Sequence, residues 1–195
     1  MNKKKIAVVF GTRPDTIKMA PIILELKKYP ENFEVLPIAT AQHRQMLDQV
    51  LDVFKIKSAY DLDIMAPKQT LASLTAKIIT GLDEIFSTEK PDMVLVQGDT
   101  STTCIGSLAA FYHQIPVGHI EAGLRTNDKA NPFPEEINRR ITGCITDLHF
   151  APTATAKAAL LKENIDPSTI FVTGNTVVDA LEYTVRGNYS FTVPV

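Results

Sequence analysis

Along the chain, short apolar runs of strand length alternate with longer segments whose apolar positions recur every three or four residues. The runs 6–10, 33–39, 60–64, 92–96, 116–120, 148–151 and 169–172 read as strands. Between them, 16–28, 42–51, 71–88, 102–113, 134–145 and 155–162 read as helices, and another begins near Val177. Leu71, Leu74, Ile78, Leu82 and Ile85 make the clearest helical stripe. Strands apolar throughout, separated by helices, predict a parallel sheet covered on both faces. The expected fold class is α/β, a Rossmann-like doubly wound parallel sheet. Residues 1–173 are assigned to this domain. Residues 187–195 offer no element able to close a fold, so 174–195 read as a hinge and the start of a further domain.

Composition narrows the class. The 195 residues, 45% hydrophobic, suffice for one full core. Twenty basic against 22 acidic residues give no clustered positive surface, which argues against nucleic-acid partners. Lys3, Lys4 and Lys5 precede an apolar run that ends after Phe10, too short for a signal-peptide core. No stretch has the length of a membrane span. Cys104 and Cys144 show no CxxC spacing and read as buried, reduced thiols. A cytoplasmic protein with no membrane partner is expected. His43, His113, His119 and His149 lack the spacing of metal ligands, so no metal is expected.

In an open parallel sheet, ligands bind beyond the carboxyl ends of the strands, and the unusual polar residues fall there. Arg13 and Asp15 follow the first strand, Gln97-Gly98-Asp99-Thr100 the fourth, and His119 and Glu121 close the fifth. The loop from Gly11 to Asp15 lacks GxGxxG spacing and carries Pro14, so it does not predict a bound dinucleotide. Arg13 and Lys18 can hold an anion at a helix N-terminus, or be solvated surface charges. Asp99 reads equally well as a helix cap or as a working carboxylate. Glu121 is hard to place as structure unless Arg125 pairs with it. Glu135–Arg139 and Glu136–Arg140 have the i,i+4 spacing of helix-stabilising pairs, and Pro134 suits a first turn.

Several segments carry a resemblance. Phe10-Gly11-Thr12-Arg13-Pro14, Ile17-Lys18-Met19-Ala20-Pro21, Gln97-Gly98-Asp99-Thr100, the run from His119 to Arg125, and Pro134-Glu135-Glu136 are similar to the non-hydrolysing UDP-N-acetylglucosamine 2-epimerases. Phe150-Ala151-Pro152-Thr153 and the run from Val172 to Thr176 continue the match. It runs through essentially the whole chain but only about half the family's usual length. The resemblance implies one half of a glycosyltransferase-B (GT-B) architecture, with the active site between two Rossmann-like domains. It places Arg13, Lys18, Asp99, Glu121 and Glu135 in that cleft. Asp99, Glu121 and Glu135 are then catalytic, Arg13 and Lys18 substrate-binding, and Glu136 part of the same shell. It implies UDP-N-acetylglucosamine and UDP as ligands, no cofactor, a homodimer at full length, and a role in cell-wall or polysaccharide precursors.

The expected chemistry follows from the substrate. The C2 hydrogen of an N-acetylhexosamine is not α to a carbonyl, so simple removal and return is very costly. Expelling UDP from C1 while a base takes the C2 proton gives a 2-acetamidoglucal. Re-addition with protonation on the other face inverts C2. The family's second domain, which supplies a catalytic histidine and most of the nucleotide pocket, is not in this chain. The expectation is a polypeptide that folds but does not turn over alone. Asp15-Thr16 stands where the family usually has Glu-Ala. An allosteric UDP-N-acetylglucosamine site is implied at Gln42, His43, Gln45 and Lys68, the last replacing an arginine and unable to make its bidentate phosphate contact. The competing readings are a hydrolysing epimerase releasing N-acetylmannosamine and UDP, a GT-B glycosyltransferase, and a catalytically silent sugar-nucleotide-binding fragment.

Overall fold

The first strand, β1 (Lys4–Phe10), shows why a sheet forms. Its side chains pass from exposed at Lys4 to fully covered from Ala7 onward. Ile6, Val8 and Phe10 enter one apolar cluster, and Ala7 and Val9 enter another. This period of two means that both sides of the strand are buried. A computed structural model describes residues 3–40, 44–66 and 68–185.

The remaining strands are β2 (Phe33–Ala39), β3 (Tyr60–Asp61), β4 (Met93–Gln97), β5 (Val117–Ile120), β6 (Leu148–Ala151) and β7 (Ile170–Val172). They form one parallel sheet in the order β3-β2-β1-β4-β5-β6-β7. The chain runs outward from β1 to β3, then returns to β4 on β1's other side. A crevice therefore opens between the carboxyl ends of β1 and β4.

Helices cover both faces. Met19, Ala20 and Ile23 of α1 (Arg13–Leu26), Leu47, Val50 and Phe54 of α2 (Arg44–Phe54) and Ala180 of α7 (Val177–Thr184) pack with Ile6, Val8 and Phe10. On the other side Ile78, Leu82, Ile85 and Phe86 of α3 (Leu71–Glu89) and Ala109 and Ala110 of α4 (Ser101–Tyr112) meet Ala7 and Val9. The helix α5 (Glu135–Ile145) lies beside α4. A third cluster joins Ala156 and Leu160 of α6 (Ala154–Lys162) to Ala122, Ala151 and Ile170. No described helix is long and apolar enough to cross a membrane.

The expected α/β class and element order are found, with two local differences. The first helix starts at Arg13 rather than 16. Pro14 fits its first turn, where no intrahelical donor is needed, and Asp15 accepts the backbone N–H groups of Gly11 and Thr12. The third strand is two residues long rather than five. Asp63 adopts φ 42°, which ends the regular pairing, although the N–H groups of Leu62 and Ile64 still reach the carbonyls of Ala39 and Thr40.

Gly123 pins the turn after β5 against α6. At φ +89°, a Cβ added there would lie 2.3 Å from the carbonyl oxygen of Ala156. Gly123→Ala is expected to lower stability by about 2–4 kcal/mol, combining left-handed strain with a backbone clash. A urea melt checks this; a midpoint equal to wild type would show that α6 yields freely.

Candidate active site

The carboxyl ends of β4 and β5 are in register, Gln97 beside Ile120, and the N–H of Gly98 reaches the carbonyl of Ile120 at 2.9 Å. Asp99 and Glu121 therefore leave the sheet side by side. Both ladders end sharply, with Gly98 at φ 72° and Glu121 at φ 64°. Thr100, not Asp99, caps α4, its hydroxyl accepting from the N–H of Thr103 at 3.3 Å. Of the two readings of Asp99, the cap is thus excluded, and its carboxylate is committed elsewhere.

That commitment is to α5. Arg139 donates to Asp99 Oδ2 from Nε at 2.9 Å and from Nη2 at 2.6 Å, and Asn138 Nδ2 reaches the Asp99 carbonyl at 2.8 Å. Glu135 lies in the first turn of the same helix, and its buried Oε2 has no hydrogen-bond partner among the described residues. The expected Glu135–Arg139 pair is therefore replaced by a tertiary one.

Glu136 faces the interior. Its side chain is 0% exposed and accepts from the N–H groups of Thr126 and Asn127, at 3.0 and 3.1 Å, and from Arg139 and Arg140. Burial alone would raise its pKa, but these donors outweigh it and hold the carboxyl below its ordinary value. A carboxylate so enclosed orders the 126–127 loop.

Glu121 is held from two elements outside its own strand. Lys18 of α1 donates to both oxygens, at 2.8 and 2.6 Å, and Asn175 Nδ2 donates to Oε2 at 2.6 Å. Arg125 does not pair with it. The Arg125 guanidinium, its side chain 3% exposed, makes two 2.8 Å bonds to Glu163 of the residue following α6. Arg13, the first residue of α1, is exposed and carries no hydrogen bond or ion pair among the described residues. Asp15 is buried beneath it. Burial pushes its carboxyl up to about 6 even though Gly11, Thr12 and Thr16 donate to it.

Lys18, Asp99 and Glu121 thus meet at one rim, and Glu135 belongs to the helix tied to that rim. Arg13 sits at the same end of the sheet. Asn138, Arg139 and Asn175 were not picked out as site residues. Their signal was positional: two follow the helix start beside Glu135, and one follows the last strand. Of the expected allosteric residues, Gln42 and His43 lie outside the described residues, Gln45 falls on α2, and Lys68 is exposed at φ 57° between β3 and α3.

His119 supports the rim from beneath. Its ring is fully buried, and Nε2 donates to the Gly98 carbonyl at 2.7 Å, one residue before Asp99. Burial lowers its pKa to about 4, with the neighbouring His149, Arg125 and Arg139 acting in the same direction. The unfolded chain protonates this ring near 6.5, whereas the folded chain does so only near 4. Its contribution to stability is complete above about 6.5 and fades as pH falls towards 4. His119→Gln keeps a donor but cannot titrate. The stability difference between wild type and this variant should shift against wild type by about 3 kcal/mol between pH 7 and 4. Urea melts across that range check it, and a pH-independent difference would contradict it.

With this geometry in place, comparisons with known proteins are informative. A family model described as UDP-N-acetylglucosamine 2-epimerase matches residues 25–192. The UDP-N-acetylglucosamine 2-epimerase of Bacillus subtilis is 63% identical over 193 residues, covering 99% of this chain and 50% of the relative. The solved UDP-GlcNAc 2-epimerase from Neisseria meningitidis bound to UDP-GlcNAc is 55% identical with a TM-score of 0.89, over 92% of this chain and 48% of that one. The Methanocaldococcus jannaschii UDP-GlcNAc 2-epimerase in complex with UDP-GlcNAc and UDP is 41% identical with a TM-score of 0.85, over 90% and 48%. A lipopolysaccharide outer core galactosyltransferase, 14% identical with a TM-score of 0.62, shares the fold alone. The Rossmann-like half of a GT-B architecture expected from the resemblance is therefore found. The chain spans about half the length of the curated relatives it matches. It belongs to the UDP-N-acetylglucosamine 2-epimerase family.

Proposed function

We propose that this chain is the half that carries the acid–base groups in an enzyme interconverting UDP-N-acetylglucosamine and UDP-N-acetylmannosamine. The observation that carries the reading is the pair of cation-held carboxylates on adjacent strand ends, Asp99 with Arg139 and Glu121 with Lys18. Glu135 joins them through the helix that grips Asp99. A site that only bound a neutral sugar would have little use for so many acidic groups at one rim.

In the proposed reaction, a carboxylate among Asp99, Glu121 and Glu135 takes the C2 proton as the C1–O bond to UDP breaks. The electron pair of the C–H bond becomes the C1–C2 double bond, and UDP leaves with the electrons of the broken bond. UDP then adds back at C1, and a proton is delivered to the opposite face of C2. Nothing is consumed, so no redox partner is required. We assign the departing diphosphate to Arg13, exposed at the N-terminus of α1, and to Lys18. Residues up to 173 are read as one domain, and 174 onward as the hinge to a second that completes the nucleotide pocket. The intact protein is read as a cytoplasmic homodimer. Free Cys104, buried as expected, and free Cys144, exposed at the end of α5 rather than buried, support the compartment, and exposed Phe111, Tyr112, Ile137 and Ile141 on neighbouring α4 and α5 support self-association.

In deuterated water, the intact gene product should form UDP-N-acetylmannosamine carrying one deuteron at C2, read by proton NMR. Asp99→Asn, Glu121→Gln and Glu135→Gln should each lower kcat by about 100-fold or more. Release of free N-acetylmannosamine and UDP would instead make the enzyme hydrolysing, and retention of the C2 hydrogen would sink the elimination route. The isolated 195-residue chain should give no product, and turnover by it would refute the need for a second domain.

A further inference from the structure

We propose that Asn175 is a positioning residue for Glu121, fixing its carboxylate from the turn that leads out of the sheet; this rests on the function proposed above. Asn175 follows β7 and precedes α7, far from Glu121 in sequence. Both ends of its amide are used. Nδ2 donates to Glu121 Oε2 at 2.6 Å, and Oδ1 accepts the N–H of Val177, the first residue of α7, at 3.1 Å. Gly174, at φ 79°, turns the chain so that the amide points back at the rim.

Glu121 needs such external support. It stands at φ 64°, just past the last paired residue of β5, and no group of its own strand holds its carboxylate. Lys18 approaches from α1 and Asn175 from the β7–α7 turn. A lysine ammonium on a flexible stem neutralises charge but sets direction poorly. A planar amide locked at its other end to a helix N–H removes rotamer freedom from the glutamate, which is the requirement for a proton-transferring group.

The same residue then performs two tasks, holding the first N–H of α7 and aiming Glu121, and two variants separate them. Asn175→Thr keeps an oxygen for the Val177 N–H but loses the donor to Glu121 without adding charge. Asn175→Ser also keeps such an oxygen, on a side chain too short to reach the carboxylate. In the intact gene product, both should melt within a few degrees of wild type. Each should lower kcat for epimerisation by about 10-fold or more, with KM changed by less than about twofold. If Asn175 only holds the N–H of α7, both variants retain wild-type kcat, and that result overturns the assignment. A loss confined to KM overturns it as well. Absence of epimerisation by the wild-type protein overturns the parent function and this assignment with it, so the two failures are distinguishable.

Discussion

The guanidinium of Arg139 is the joint on which the site depends. It faces Asp99 at the end of a central strand and Glu136 in the interior of its own helix. Asp99 belongs to the sheet, and Glu136 holds the backbone of the 126–127 loop. One cation therefore fastens three pieces of chain that the fold would otherwise leave independent. Removing one partner of a buried ion pair strands the other charge without water, which typically destabilises by about 3–5 kcal/mol. Here Asp99, part-exposed at the rim, would lose its cation, whereas the buried Glu136 would keep Arg140 and the two loop N–H groups. The rigidity of the carboxylate at this rim is thus supplied by polar packing around α5 rather than by the apolar core.

The doubly wound topology accounts for the assembly of distant residues. Lys18 comes from the helix after β1, Asp99 from the end of β4, Glu121 from the end of β5, and Asn175 from the end of β7. Parallel strands point all their carboxyl ends the same way. Residues spread over most of the chain therefore meet at one edge without any long loop reaching across. His119 adds a neutral, buried donor under the Gly98 carbonyl, which stiffens the turn where Asp99 emerges.

Much of this was readable from residue pattern. Buried parallel strands are apolar on both faces, so β1, β2, β4, β5 and β6 stand out as continuous runs, and Asp99 and Glu121 stand out as charges directly after them. What escaped was long-range partnership. Arg139 has an ideal local partner in Glu135 and takes a tertiary one instead, because Asp99 offers a part-buried acceptor that also needs a cation. Arg125 sits four residues after Glu121 yet turns to Glu163, since the turn at Gly123 carries it under α6. Adjacent Glu135 and Glu136 look equivalent in the chain, but helical rotation of about 100° per residue turns Glu136 into the interior and Glu135 to a different side of α5. The start of α1 was misplaced because a proline in the first turn looks like an interruption until Asp15 is seen to satisfy the freed donors.

The left-handed backbone at position 121 sets conformational ease against chemistry. A non-glycine side chain in that region carries a penalty of about 1–2 kcal/mol, which glycine or asparagine would relieve. Selection or design for thermal tolerance alone would drift towards those residues and discard the carboxylate. Under the proposed function, a glutamate at that spot exchanges robustness for reactivity, and libraries built for hardiness should hold the position fixed.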